Sequence, residues 1–183
     1  NLGVGLVRAG KKVALVDADP QGHLTMGLGF PKNVRVTLKN MMENIIMGVE
    51  FDPKDAVLSH KEGVDVIPSN KLLTGMDMSL LTVEDREMVL KEYLELLEED
   101  YDYIIVDCMP SLGMLTINAL SAAHSVLIPV QPQYYAADGL MELYPGTCLI
   151  LSNTDGEPLY TLGDEPETAD RVIADSNMES FSR

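Results

Sequence analysis

The feature that most constrains this chain is a short apolar run that ends abruptly in two carboxylates. Residues 13–22 are Val-Ala-Leu-Val-Asp-Ala-Asp-Pro-Gln-Gly. Because the run contains β-branched residues and does not alternate with polar ones, it predicts a strand covered on both faces, as in the parallel sheet of an α/β protein. Ligands of such sheets bind beyond the carboxyl ends of the strands, so Asp17 and Asp19 are candidate ligand-site residues. The alternative is an ordinary turn, since Asp, Pro and Gly dominate turns for backbone reasons alone.

The same pattern returns later in the chain. Residues 103–107, Tyr-Ile-Ile-Val-Asp, predict a second apolar strand that ends in one carboxylate, Asp107, beside the first. Further strands are predicted at residues 64–67 and 125–130, helices at 1–9, 37–47, 83–99, 112–123 and 136–143, and one more turn of helix at 53–59. Thr82 and Ser79 are candidate N-caps of the helix over 83–99. Strands that alternate with helices predict an α/β fold with a doubly wound parallel sheet.

Composition narrows the function classes. A chain of 183 residues that is 46% hydrophobic and 23% charged is typical of one globular domain with its own core. Its formal charge of −16 argues against a general nucleic-acid surface, which needs clustered Lys and Arg. Two cysteines, Cys108 and Cys148, predict no disulfide framework and favour the reducing cytoplasm. No apolar run approaches the ~18 residues of a membrane span, so we expect no membrane partner.

Both ends of the sequence differ from the middle. Asn1 begins in what is predicted to be a helix already under way, which indicates a fragment truncated at the N-terminus, with a strand and a loop upstream. Residues 144–183 contain eight acids against two arginines, and one strand-like run at 147–151 stands alone there. This composition favours a poorly ordered acidic tail. We therefore expect two parts, a domain over 1–143 and a divergent acidic C-terminal segment over 144–183.

Two strand-end carboxylates on neighbouring parallel strands suit one particular ion. Mg²⁺ keeps most of its waters and takes only one or two carboxylates, so Asp19 and Asp107 could serve a hydrated Mg²⁺ that carries phosphates. In P-loop NTPases one such Asp holds the metal at the end of a strand. The glycine-rich phosphate-binding loop of those enzymes is not among these residues and would precede Asn1.

Four segments, in order, give a specific resemblance. They begin with Asn-Leu-Gly-x-Gly-Leu-x-x-x-Gly-Lys-Lys-Val-x-Leu-Val-Asp-x-Asp-Pro-Gln-Gly and Val-Asp-Val-Ile-Pro-Ser-Asn, and continue with Tyr-Asp-Tyr-Ile-Ile-Val-Asp-Cys-x-Pro-Ser-Leu-Gly-x-Leu-Thr-Ile-Asn-Ala-Leu and Val-Leu-Ile-Pro-Val-Gln-Pro-Gln-Tyr-Tyr-Ala. From Asn1 to about Leu143 the sequence resembles the ParA/Soj partition ATPases, a deviant Walker A, MinD-like class. The resemblance implies a P-loop NTPase fold, ATP and Mg²⁺ as cofactors, and an ATP-dependent homodimer. It further implies nonspecific DNA binding, a ParB-like partner, and plasmid or chromosome segregation in the cytoplasm, on the nucleoid.

The resemblance also assigns site residues. It makes Asp19 the catalytic residue that positions the attacking water and Asp107 the metal-supporting residue, with Asp17, Gln21 and Pro110 in cofactor binding. The sequence departs from the family in three ways. The phosphate-binding loop is absent, the family usually has a proline where Met109 stands, and the similarity stops after Leu143.

Two other function classes stay open. A phospho-receiver domain also has an acidic pair and a later acceptor Asp, but the chain separates them too widely, and no Lys ends a later strand as a receiver needs. A noncatalytic interaction module is the stronger alternative, because a P-loop ATPase that lacks its P-loop cannot cradle phosphates.

Overall fold

The computed structural model describes residues 1–111 and 113–127, together with the backbone of three later strands. The chain divides into two units, Asn1–His124 and Ser125–Arg183, and each is described by itself. No helix in the described ranges is long and apolar enough to cross a membrane.

The first unit is an α/β layer structure, as the sequence predicts. Its elements are α1 (Leu2–Arg8), β1 (Val13–Ala18), α2 (His23–Gly27), α3 (Leu38–Met47), β2 (Leu58–Ser59), β3 (Asp65–Ile67), α4 (Met76–Leu80), α5 (Val89–Glu95), β4 (Tyr103–Cys108) and α6 (Met114–Ala122), with 3₁₀ turns at Lys71–Gly75 and Glu98–Asp100. The sheet order is β2-β3-β1-β4. Strands β3, β1 and β4 are parallel, and β2 is antiparallel to β3. The predicted parallel α/β sheet is thereby confirmed.

Alternate residues of the central strand β1 face two separate cores. Val13 and Leu15 pack with Val64 and Val66 against α1 and α2. Val16 and Ala18 belong to a larger core on the opposite face, formed with side chains from α3, α4, α5 and α6, among them Leu38, Met41, Met42, Met76, Leu80, Leu90, Tyr93, Leu94, Leu115 and Ala119. Helices thus cover both faces, and all six residues of β1 are buried.

Local signals account for the helices that the sequence predicted well. Thr37 and Asn40 form a capping box at the start of α3, and Gly48 ends that helix in a left-handed conformation. Gly10, with a φ of 81°, follows α1 and donates its N–H to the Val7 carbonyl. Each of these helices has its stop signals within its own sequence.

Two helix predictions were wrong. The helix predicted over 83–99 is confined to α5, because the chain turns before Val89 and Asp85 adopts a left-handed φ of 51°. The proposed caps do not cap it: the hydroxyls of Thr82 and Ser79 donate backwards to the carbonyls of Ser79 and Gly75. At 53–59 the chain makes turns and then strand β2 instead of a turn of helix, because the backbone of Leu58 and Ser59 pairs with β3.

The second unit is described through three strands, β5 (Leu149–Ser152), β6 (Pro158–Leu162) and β7 (Val172–Asp175). The central strand β5 pairs antiparallel with β6 and parallel with β7. Of the strand-like run predicted at 147–151, residues 149–151 belong to β5, which pairs on both sides, so the run does not stand alone. Of the strand predicted at 125–130, residues 125–127 are described and are not in a strand, and the rest lies outside the described residues, as does the helix predicted at 136–143. The division at residue 143 stays a prediction.

Candidate active site at the ends of β1 and β4

The carboxyl ends of β1 and β4 bring the predicted acids together. Asp17 on β1 is directly opposite Asp107 on β4 in the parallel register. Asp19 follows β1 by one residue. Partial burial and the negative charges of Asp17 and Asp19 raise the pKa of Asp107, and the neighbouring His23 opposes this shift. Three carboxylates and one imidazole therefore share one electrostatic neighbourhood, although the roles given to them stay predictions.

Asp17 is the buried member of this group. Its side chain is 0% exposed. Its Oδ2 accepts hydrogen bonds from the backbone N–H of Thr25 at 2.8 Å and from the Thr25 hydroxyl at 2.6 Å, and its Oδ1 accepts one from the Asp19 N–H at 3.3 Å. A buried carboxylate needs such donors to replace its lost water. The structure therefore places Asp17 behind the site, engaged by protein donors on both oxygens.

Asp19 lies in a tight turn. From the sequence, such a turn is the alternative to a ligand site at these residues. The Gly22 N–H donates to the Asp19 carbonyl at 2.9 Å, and Gly22 has a φ of 67°. The turn also holds the carboxylate, because the Gln21 N–H donates to Asp19 Oδ1 at 2.8 Å. Asp19 Oδ2 lies 3.7 Å from Nδ1 of His23, and the side chain keeps 16% of its surface exposed. One oxygen is therefore fixed by the turn, and the other remains available to a small ligand such as water.

Asp107 is the exposed member of the group. Within the described residues, no protein donor reaches its carboxylate. Its neighbour Cys108 is also exposed as a residue, but partial desolvation of its thiol, together with the Asp107 charge, raises the pKa of Cys108. Pro110, also exposed, belongs to the loop that leads from β4 to α6. The N-terminus of α6 is tied to α4, where Asp77 Oδ1 accepts a hydrogen bond from the Leu115 N–H at 3.4 Å.

The side chains that could bind a metal here fit a hydrated magnesium ion better than a metal whose ligands all come from the protein. Within the described residues, no three His, Cys, Asp or Glu side chains converge as a metal-binding group. Mg²⁺ needs only one or two carboxylates when phosphates and waters complete its octahedron. Asp107, exposed and without a protein partner in the described ranges, offers one such ligand or a contact to a bound water. The residues present therefore fit Mg²⁺ that arrives with a nucleotide.

Sequence reasoning missed two residues of this site. Thr25 lies in α2, which was not predicted because a five-residue helix is too short for hydrophobic periodicity to reveal. Ser69, in the loop after β3, donates its N–H to Thr25 Oγ1 at 3.0 Å. The only sequence signal for Thr25 is a hydroxyl residue a few positions beyond the acidic pair, which by itself predicts nothing.

Comparison with known proteins identifies the family of this chain. A family model described as an AAA domain matches residues 1–155. The chain is 44% identical over 161 residues to the sporulation initiation inhibitor protein Soj of Bacillus subtilis, an alignment that covers 85% of this chain and 61% of that protein. The chain belongs to the AAA domain family and is of the ParA/Soj type. The match extends past residue 143, where the motif-based similarity ended.

A partitioning protein and one solved structure are also similar to this chain. The chromosome partitioning protein ParA of Myxococcus xanthus is 42% identical over 146 residues, covering 78% of this chain and 50% of that one. A crystal structure of cobyrinic acid a,c-diamide synthase from Mycobacterium smegmatis, with bound ATP analog and magnesium, superposes with a TM-score of 0.69 at 38% identity. That superposition covers 78% of this chain and 57% of the synthase. The chain thus spans between half and about three fifths of the length of the curated relatives named here.

Proposed function

We propose that the protein containing this chain is a Mg²⁺-dependent ATPase that drives the partitioning of plasmids or chromosomes. The observation that supports this most is the strand register that sets Asp107 beside Asp17, with Asp19 next to them in a tight turn. The name of the Myxococcus xanthus relative favours partitioning over other ATP-dependent work. ATP and magnesium are favoured because the similar synthase was crystallised with an ATP analog and magnesium.

Each acid has a distinct task in this proposal. Asp19 keeps one carboxylate oxygen in the turn and orients the attacking water with the other, by accepting a hydrogen bond from it. Asp107 supports the metal ion, directly or through a water. Magnesium, when bound, neutralises the phosphate charge that develops as the terminal phosphoryl group is transferred. Gln21 and Pro110 lie on the loops that follow the two strands, where they would contact the nucleotide.

The proposed partners follow from the family. We propose an ATP-dependent homodimer that binds DNA without sequence preference and responds to a ParB-like partner, in the cytoplasm and on the nucleoid. With a formal charge of −16, this chain does not offer a general surface for DNA phosphates. DNA contacts are therefore expected to depend on a local basic surface of the whole protein or of its dimer.

The test uses the full-length protein and a magnesium titration of ATP hydrolysis. Asp107→Asn should raise the Mg²⁺ concentration needed for half-maximal rate, because the amide keeps the shape of the side chain but loses the charge. Asp102→Asn is the matched control: Asp102 is an exposed acid just before the opposite end of β4, and it accepts a hydrogen bond from the Lys12 N–H.

Three results are informative. Hydrolysis that needs magnesium and weakens in Asp107→Asn alone supports the proposal. Equal magnesium requirements in both variants would place the metal elsewhere. Absence of ATP binding by the full-length protein would refute the ATPase and favour the interaction module.

A further inference from the structure

One buried polar network ties together the chain segments that surround Asp19. Asp17 accepts hydrogen bonds from the backbone and hydroxyl of Thr25, and Thr25 Oγ1 in turn accepts from the Ser69 N–H. All three residues are at most 2% exposed. The network joins the end of β1, the helix α2 and the loop that leaves β3.

This network holds both ends of the turn that contains Asp19. At the start of the turn, the Asp19 N–H donates to Asp17 Oδ1. Beyond its end, Thr25 donates twice to Asp17 Oδ2. The turn itself is packed closely against the third segment, since a Cβ on Gly22 would lie 3.1 Å from the Ser69 carbonyl oxygen. Thr25 is therefore bonded to the same carboxylate that anchors the start of the turn containing Asp19.

We propose that Thr25 is a positioning residue that sets the place of the Asp19 carboxylate through Asp17, an inference that rests on the proposed ATPase function. The hydroxyl of Thr25 is both a donor to a buried charge and an acceptor from the β3 loop, so no apolar side chain can replace it. Hydrogen bonds to charged groups are the strong ones in proteins. In this proposal Asp17 acts on the site through the turn, and its predicted role in cofactor binding stays a prediction.

The prediction separates turnover from nucleotide binding. Thr25→Val keeps the side-chain shape and removes the hydroxyl. Its kcat should fall at least about tenfold, because small misplacements of a catalytic group cost large factors in rate. The KM for ATP and the magnesium requirement should stay within about twofold, since Asp107 is not part of the network. Thr25→Ser, which restores the hydroxyl, should recover most of the lost kcat.

The matched control is Thr116→Val on α6. Thr116 also has a buried hydroxyl, but this hydroxyl has no hydrogen-bond partner among the described residues. Thr116→Val should therefore leave kcat, KM and stability unchanged or slightly improved. If Thr25→Val does not fold, Thr25→Ala takes its place, because alanine has no methyl group at the position of the hydroxyl, which lies 2.6 Å from Asp17 Oδ2.

A second measurement makes the inference independent of ATP hydrolysis. Amide hydrogen exchange of residues 19–25 should accelerate in Thr25→Val and return towards the wild-type rate in Thr25→Ser. If wild-type protein does not hydrolyse ATP, the proposed function fails while this exchange result still decides whether Thr25 fixes the turn. Unchanged exchange, unchanged kcat, or a loss of kcat that Thr25→Ser does not recover would each overturn the positioning role.

Discussion

Replacing Asn118 by leucine tests the contact that joins α6 to α5 within the first unit. Asn118 is 0% exposed. Its Oδ1 accepts a hydrogen bond from the Leu90 N–H in the first turn of α5 at 3.0 Å, and its Nδ2 donates to the carbonyls of Arg86 and Met114 at 2.8 and 2.9 Å. One side chain on α6 thus caps α5 and holds the turn before it.

The magnitude follows from what each partner loses. The Leu90 N–H is buried and would be left without an acceptor, which costs about 1–3 kcal/mol. Arg86 is exposed, so water can replace the bond to its carbonyl at little cost. Leucine has a similar volume and avoids a cavity. We expect Asn118→Leu to lower the free energy of unfolding by about 2 kcal/mol, or roughly 4–8 °C in Tm for a domain of this size.

The assay is urea unfolding of full-length protein, supported by calorimetry, with Thr116→Val on the same helix as the control. The Thr116 hydroxyl has no partner to lose among the described residues, so this control should unfold at or slightly above the wild-type midpoint. If Asn118→Leu were as stable as Thr116→Val, the capping of α5 by Asn118 would contribute no stability and the reasoning would be refuted.

Two smaller perturbations probe the site itself. Gly22→Ala should cost more stability than Gly29→Ala in thermal unfolding. Both glycines have a positive φ, which costs an L-residue ~1–2 kcal/mol. Only a Cβ at Gly22 would also lie against the Ser69 carbonyl oxygen, at 3.1 Å. Equal losses would show that this contact relaxes freely. Desolvation and the negative charge of Asp107 raise the pKa of the Cys108 thiol, so Asp107→Asn should lower that pKa and increase the thiolate fraction. Alkylation of Cys108 at pH 8, followed by peptide mass spectrometry, should therefore be faster in this variant. An unchanged rate would mean that the Asp107 charge does not reach the thiol.

The sheet and the juxtaposition of its acids were predictable because their signals are local. Strands β1 and β4 are continuous apolar runs that end in carboxylates, and parallel pairing of such strands brings their ends to one edge. The helix α3 was predictable for the same reason, since Thr37 and Asn40 cap it from within its own sequence.

The start of α5 and the existence of α2 were not predictable, because contacts with residues outside each helix determine them. The amphipathic pattern over 83–99 continues through the turn, but the Leu90 amide in the first turn of α5 donates to Asn118, far along the chain. Helix α2 is likewise anchored by Asp17, which accepts from Thr25 across the turn. Asp17 is buried beside this contact, and the sequence could not tell it apart from Asp19, which is half-buried, or from the exposed Asp107.

The most direct test of the account compares ATP binding and ATP turnover in the full-length Asp19→Ala variant. If Asp19 orients the attacking water, nucleotide affinity should stay within a few-fold of wild type while turnover falls by ~10²–10⁴-fold. Asp55→Ala, which removes an exposed acid outside the site, should change neither quantity. Normal turnover by Asp19→Ala, measured with saturating ATP and magnesium, would contradict the assignment of this strand-end turn as the catalytic centre.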